Sequence, residues 1–160
     1  MLNQYEVFID GYTKTLKPIN QYDIEDINPC TNDAFDKMCI FRDYIHLSEM
    51  NNEHIYIMAN NEYNQLMGIY MAGTGDSFTA GCSLKSIALF LMMMNAQKFE
   101  VIHNHPLGDL TPSDNDKILK QNLFQLGTLI DIYLTGCYII SEQGYYNMSN
   151  GDSFKWEELK

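Results

Sequence analysis

Two histidines, a serine and an aspartate within one short stretch, His103-Asn104-His105-Pro106 followed by Ser113 and Asp116, have the types and spacing to hold a divalent metal. In an extended segment, residues two apart share a face, so both imidazoles project the same way. Imidazole nitrogen suits zinc well, and Pro106 ends the strand and stiffens the turn after it. Two nitrogens do not complete a site. Asp116, 11 residues beyond His105, supplies an oxygen if the helix it begins folds back over the histidines. The same residues also have a purely structural reading. Ser113 after Thr111-Pro112 is a good N-cap, and Asp116 three residues on makes a capping-box-like pattern that suits the helix dipole. A cap requires no histidine pair before it, however, and the combination points to metal. The other two histidines, His46 and His54, have no such company and read as surface or boundary residues.

The elements that must position these residues follow from periodicity. Residues 5–19 alternate loosely and predict one or two strands broken by Gly11. The breaker cluster at 28–32 gives way to Phe35, Met38, Cys39, Phe41 and Ile45 at near-helical spacing, predicting a helix over about 31–47. Residues 53–59 (EHIYIMA) predict a buried strand, 60–64 a turn, and 65–73 a second strand completing a hairpin. GTGD at 73–76 reads as a loop, and Leu84 to Ala96 as a helix whose methionines are core filler. A short strand from Phe99 to Ile102 delivers the chain into His103. The next helix runs from Ser113 to about Leu126, where Gly127 is a natural stop. Residues 129–141 are strand-like, and the polar tail from Asn150 to Lys160, with its one Trp, reads as loosely held. Strands alternate with helices, but the hairpin argues for a mixed sheet.

The bulk numbers set limits. A chain of 160 residues with 46% hydrophobic residues can enclose a core as one domain. Its 10 basic and 21 acidic residues give a net charge of -11, with no Lys/Arg cluster, which disfavours direct binding to phosphate backbones. Cys30, Cys39, Cys82 and Cys137 are scattered, with no C-x-x-C pair, and read as reduced, buried or half-buried thiols. The N-terminus lacks the pattern of a signal peptide, and the longest apolar run, Ile87 to Met94, is too short to span a bilayer. The expected location is cytoplasmic, with no membrane association.

The stretch from His103 to Asp116, HNHPLGDLTPSDND, closely resembles the H-N-H-P-S-G-D-P-T-P-S-x-x-D signature of RadC-type proteins. These belong to the JAB/MPN group, whose metal motif pairs a distant Glu with H-x-H-P and S-x-x-D. The resemblance extends over about residues 50–150: Glu53 and the apolar run after it resemble the family's opening strand, Gly73-Thr74 its G-T before the central helix, and Ile130-Asp131-Ile132 its strand after the metal helix. It implies that His103, His105 and Asp116 are metal ligands, Glu53 the general acid/base and Ser113 a hydrogen-bond donor to the transition state. By residue type alone, Glu49 and Glu62 are open to the role of Glu53; only the alignment of the apolar run selects Glu53. There are departures. Leu107 stands where the family has Ser, Ala80 to Lys85 replaces its V-x-P-R-E segment, and residues 1–50 carry no Gly-x-Gly hairpin pattern of the DNA-binding accessory in full-length RadC proteins.

The resemblance implies an α/β (α+β) domain, a mixed β-sheet flanked by helices of the cytidine-deaminase-like JAB/MPN type. Residues 1–50 would be a strand/helix extension packed on the metal domain of 51–150, with 151–160 as a tail. The implied activity is that of a JAMM-type zinc (Zn2+) hydrolase, metallopeptidase- or isopeptidase-like, acting on a peptide or isopeptide. Two other readings stand beside it: a DNA-repair-associated protein, the role by which RadC proteins are usually named, and a metal-stabilised, non-catalytic interaction module. Oligomeric state and substrate identity are open at this stage.

Overall fold

A computed structural model describes residues 1–28, 30–75 and 82–159. Its frame is an eight-stranded mixed sheet: β1 (Leu2–Asp10), β2 (Thr13–Tyr22), β3 (His54–Asn60), β4 (Leu66–Thr74), β5 (Lys98–Asn104), β6 (Tyr133–Ser141), β7 (Gly144–Asn147) and β8 (Ser153–Lys155). In space the order is β2-β1-β4-β3-β5-β6-β7-β8. The β1/β4 and β5/β6 pairs are parallel and the others antiparallel. Three α-helices stand among the described residues: α1 (Ala34–Asp43), α2 (Leu84–Met93) and α3 (Asp114–Ile130). The expected mixed α/β architecture is therefore the one observed.

Both faces of the central strands are covered, which explains why β3 reads as a continuous apolar run rather than an alternating one. Its even residues Tyr56 and Met58 join Met38, Ile40 and Phe41 of α1 in one core. Its odd residues Ile55, Ile57 and Ala59 join Ile87, Phe90 and Leu91 of α2 and Leu119 and Leu123 of α3 in the other. β5 divides likewise, with Phe99 and Val101 on the side of α2 and α3, and Ile102 on the side of α1. His103 continues the odd series, so it emerges towards α3.

Several boundaries differ from the sequence reading, each for a local reason. Gly11, at φ 56°, separates β1 from β2 as a hairpin turn. Helix α1 starts only at Ala34, because the Asp33 side chain accepts the Asp36 amide as its cap, and it ends before a short 3-10 turn at Leu47–Glu49. Gly73 and Thr74, expected in a loop, finish β4, while Asp76 and the segment through Gly81 lie outside the described residues. Helix α2 stops at Met93 rather than Ala96, with Asn95 left-handed at φ 52°. Met92 and Met93 are exposed, while Met94 packs against the core formed with Ile87, Phe90 and Leu91, so only part of the methionine run is core filler. Helix α3 runs past Gly127 to Ile130 and ends on a left-handed Asp131. Gly127 serves close packing instead, since a Cβ there would lie 2.4 Å from the Ile132 carbonyl oxygen and 3.0 Å from the Phe99 ring. The tail is also held: β8 pairs with β7, Trp156 Nε1 donates to the Ser141 carbonyl, and its ring packs on Phe35 and Tyr145. Of the cysteines, Cys39 and Cys137 are buried and Cys82 half-buried, but Cys30 is exposed; all four are free thiols.

Candidate metal centre

The parallel β5–α3–β6 unit creates the site. Strand β5 carries His103 to its C-terminal end, and His105 follows one residue past it, its amide still donating to the Ile140 carbonyl of β6. The chain then loops back so that the first turn of α3 faces the two imidazoles. Ser113 caps that helix: its hydroxyl accepts the Asp116 amide and its own amide donates to Asp116 Oδ2 at 2.6 Å. The capping box expected from sequence is thus present, and it also aims the carboxylate. Asp116 is 2% exposed, with Oδ1 2.9 Å from His103 Nε2 and Oδ2 3.4 Å from His105 Nε2. Cap and site are one arrangement. The two Nε2 atoms are 3.1 Å apart.

Glu53 comes from the other side. Residues Ile55 and His103 are opposed in the antiparallel β3/β5 register, which leaves Glu53, just before β3, beside the end of β5. Its Oε1 lies 3.9 Å from His103 Nε2. One ligand-type atom from each of Glu53, His103, His105 and Asp116 falls within 4.8 Å of all the others. Glu49, also open from sequence, lies 3.4 Å from His46 Nδ1 on the surface, and Glu62 lies in the turn beyond the far end of β3. His54 leans on its own chain, Nδ1 against the Asn52 carbonyl.

The donor set fits a small tetrahedral ion. Ligand atoms about 2.0–2.1 Å from such an ion sit roughly 3.3 Å from one another, close to the 2.9–3.4 Å separations among His103, His105 and Asp116. His105 Nδ1 lies 2.6 Å from the Asp109 carbonyl oxygen, which fixes the Nδ1–H tautomer and turns the Nε2 lone pair inward. Charge complements geometry. Burial would raise the Asp116 carboxyl, but hydrogen bonds with His103 and His105, the His103 charge and the Ser113 bond hold it well below the usual carboxylate range. Burial would likewise lower His105, but the Asp116 hydrogen bond, the Asp109 carbonyl and the Asp116 and Glu53 charges outweigh it, and its pKa is raised. Negative charge therefore converges on the point the imidazoles face.

Two contributors escaped the sequence reading. Asp109 acts through its backbone carbonyl, which no side-chain pattern encodes. Asn104, between the histidines, looks like a spacer, yet it is fully buried on the opposite face and bonds three backbone groups of residues 50–54. A polar amide embedded in a buried strand was the available signal. Beside the four-residue cluster opens a cleft of ≈ 260 Å³ lined by His105, Pro106, Leu107, Asp109, Thr111 and Ser113. Leu107, where the resemblance led one to expect Ser, stands at its rim 97% exposed.

The RadC-like JAB domain family model matches residues 35–153. A UPF0758 protein of Chlorobium chlorochromatii is 28% identical over 101 residues, covering 63% of this chain and 46% of the relative. One of Thermotoga maritima is 40% identical over 53 residues, 33% of this chain and 24% of the relative. The UPF0758 protein YfjY of Escherichia coli is 27% identical over 121 residues, 74% of this chain and 76% of the relative. The match thus spans less than half the length of the first two relatives and about three quarters of the third.

Proposed function

The chain belongs to the RadC-like JAB domain family, and on that premise we propose that it is a zinc-dependent hydrolase that cleaves a peptide or isopeptide amide. The observation that carries this reading is the convergence of Glu53, His103, His105 and Asp116 within 4.8 Å. His103, His105 and Asp116 would hold the ion through two nitrogens and one oxygen, the ligand types zinc favours. When bound there, zinc supplies Lewis acidity, polarising the scissile carbonyl and lowering the pKa of a coordinated water to roughly 7.

The remaining work falls to the chain. Glu53 stands beside the ligands without displacing them, so its Oε1 can take a proton from the attacking water and return it to the leaving nitrogen. Ser113 accepts the Asp116 amide through its oxygen and keeps a hydroxyl hydrogen to donate to the developing oxyanion. The cleft supports an amide rather than a phosphodiester. Among the described residues that line it none is Lys or Arg, Pro106 and Leu107 make it apolar, and the carboxylate of Asp109 would repel phosphate.

Turnover of a panel of peptide and isopeptide amides by the zinc-loaded protein tests this. With zinc supplied at saturation, Glu53→Gln should still bind the metal and lose about 10²–10⁴-fold in rate. Full turnover in that variant moves the base elsewhere, and failure of the wild type to cleave any amide contradicts the reading.

A further inference from the structure

We propose that Asn104 is a positioning residue that holds Glu53 against the His103–His105–Asp116 cluster. The inference rests on the metal-hydrolase reading of that cluster and adds how its acid/base is kept in place. Glu53 precedes the first residue of β3, so regular sheet pairing does not reach it from the β5 side. The β3/β5 ladder has its last pair at Ile55 and His103. At the following position the Asn104 side chain replaces the missing backbone partner: its Oδ1 accepts the His54 amide at 2.7 Å. Its Nδ2 spends both hydrogens on the same loop, donating to the Met50 carbonyl at 3.1 Å and the Asn52 carbonyl at 3.0 Å. The residues on both sides of Glu53 are thereby tied to one amide. On its other side the Glu53 carbonyl accepts the Gly75 amide of the chain leaving β4, at 2.8 Å.

Residue chemistry narrows the role. Asn104 is fully buried, and only a carboxamide of this length offers two donors and an acceptor to three fixed backbone groups. Aspartate would set an oxygen against two carbonyls, and serine would leave buried groups unpaired, at the cost that follows. Strand geometry also matters, because His103 and His105 face the metal side while the residue between them faces the other. A single tripeptide therefore holds two ligands with its odd residues and the acid/base loop with its even one. Displacing a catalytic group by about 1 Å is enough to lose much of its effect.

The test compares Asn104→Asp, Asn104→Ser and Glu53→Gln, and the double Asn104→Ser/Glu53→Gln, using zinc affinity by chelator competition and amide hydrogen exchange over residues 50–54. Glu53→Gln should weaken zinc by about tenfold, as loss of a supporting carboxylate does, with exchange in the loop still slow. Each Asn104 variant should speed exchange of the His54 amide at least about tenfold and weaken zinc to the Glu53→Gln level. The double variant should bind zinc no worse than Glu53→Gln alone, the mark of two residues acting as one unit. Losses that multiply in the double variant, or wild-type exchange and zinc affinity in the Asn104 variants, overturn the proposal while leaving the metal reading intact. Zinc binding absent from the wild type, or indifferent to His103→Ala, would instead sink the metal reading, and the exchange data would still judge the clamp. Should neither Asn104 variant fold, the wild-type His54 amide decides: protection supports the clamp, and exchange at the rate of an open loop overturns it.

Discussion

At the scale of single residues the candidate site offers the same atoms to protons and to the proposed metal, and the two would respond to pH in opposite directions. His105 has a raised pKa in the metal-free fold, so its stabilising charge is fully present below its ordinary value of about 6.5 and is lost as pH rises through the raised one. Asp116, with a lowered pKa, contributes above about 3.9 and weakens only as pH falls towards strongly acidic values. As pH rises beyond about 6.5 and through that raised pKa, the metal-free protein should therefore lose melting temperature through His105. A metal needs the neutral imidazole, so its stabilisation should grow over the same interval. Melting curves with zinc and with chelator should diverge as pH rises beyond about 6.5; curves that stay parallel would show that His105 is not a ligand. His103, His105, Ser113 and Asp116 were legible in the sequence because their spacing lies within one strand, one turn and one helix start. Glu53 is 50 residues from His103 and reaches it through sheet register, so residue type alone left Glu49 and Glu62 open. Asn104 was illegible for another reason: its partners are backbone groups.

At the scale of elements, two predictions concern how the strands and helices are locked. Lys37 of α1 is fully buried against Glu100 of β5, which also accepts from Asn60 and Tyr138, and Lys37 donates to the Asn64 carbonyl at 2.8 Å. Lys37→Ala leaves Glu100 as an uncompensated buried charge, and should cost about 3–5 kcal/mol in denaturant unfolding. A loss below 1 kcal/mol would mean the pair contributes little to holding α1 on the sheet. Gly127→Ala reverses an ordinary rule. Alanine in mid-helix normally stabilises relative to glycine, but here its methyl would meet the Ile132 carbonyl and the Phe99 ring, so a destabilisation of about 1–3 kcal/mol is expected. A stabilised variant would show that α3 can shift away from β5. The alternation of elements was readable from periodicity, including the β3/β4 hairpin. Their ends were not, because α3 ends where packing against β5 and β6 dictates, not where its glycine stands. The Lys37–Glu100 pair, 63 positions apart, likewise becomes visible only once the sheet is assembled.

At the scale of the whole molecule, charge and sheet edges frame what the site can meet. The net charge of -11 and a cleft with no Lys or Arg among its described lining residues predict weak duplex DNA binding by this chain, without the steep loss on added salt that phosphate contacts impose. Tight binding with a steep negative salt slope would favour a nucleic-acid role. No helix among the described residues is long and apolar enough to cross a membrane. The β1–β2 hairpin lies outside the family match at residues 35–153, yet it continues the same sheet through the parallel pairing of β1 with β4. Everything proposed for the site depends on His103, His105 and Asp116 together holding one zinc ion. Metal analysis of the protein after zinc loading and desalting, beside His103→Ala, His105→Ala and Asp116→Ala, tests it most directly. One zinc per wild-type chain is expected, and its loss in every variant that remains folded; equal zinc in wild type and variants would rule out this ligand set.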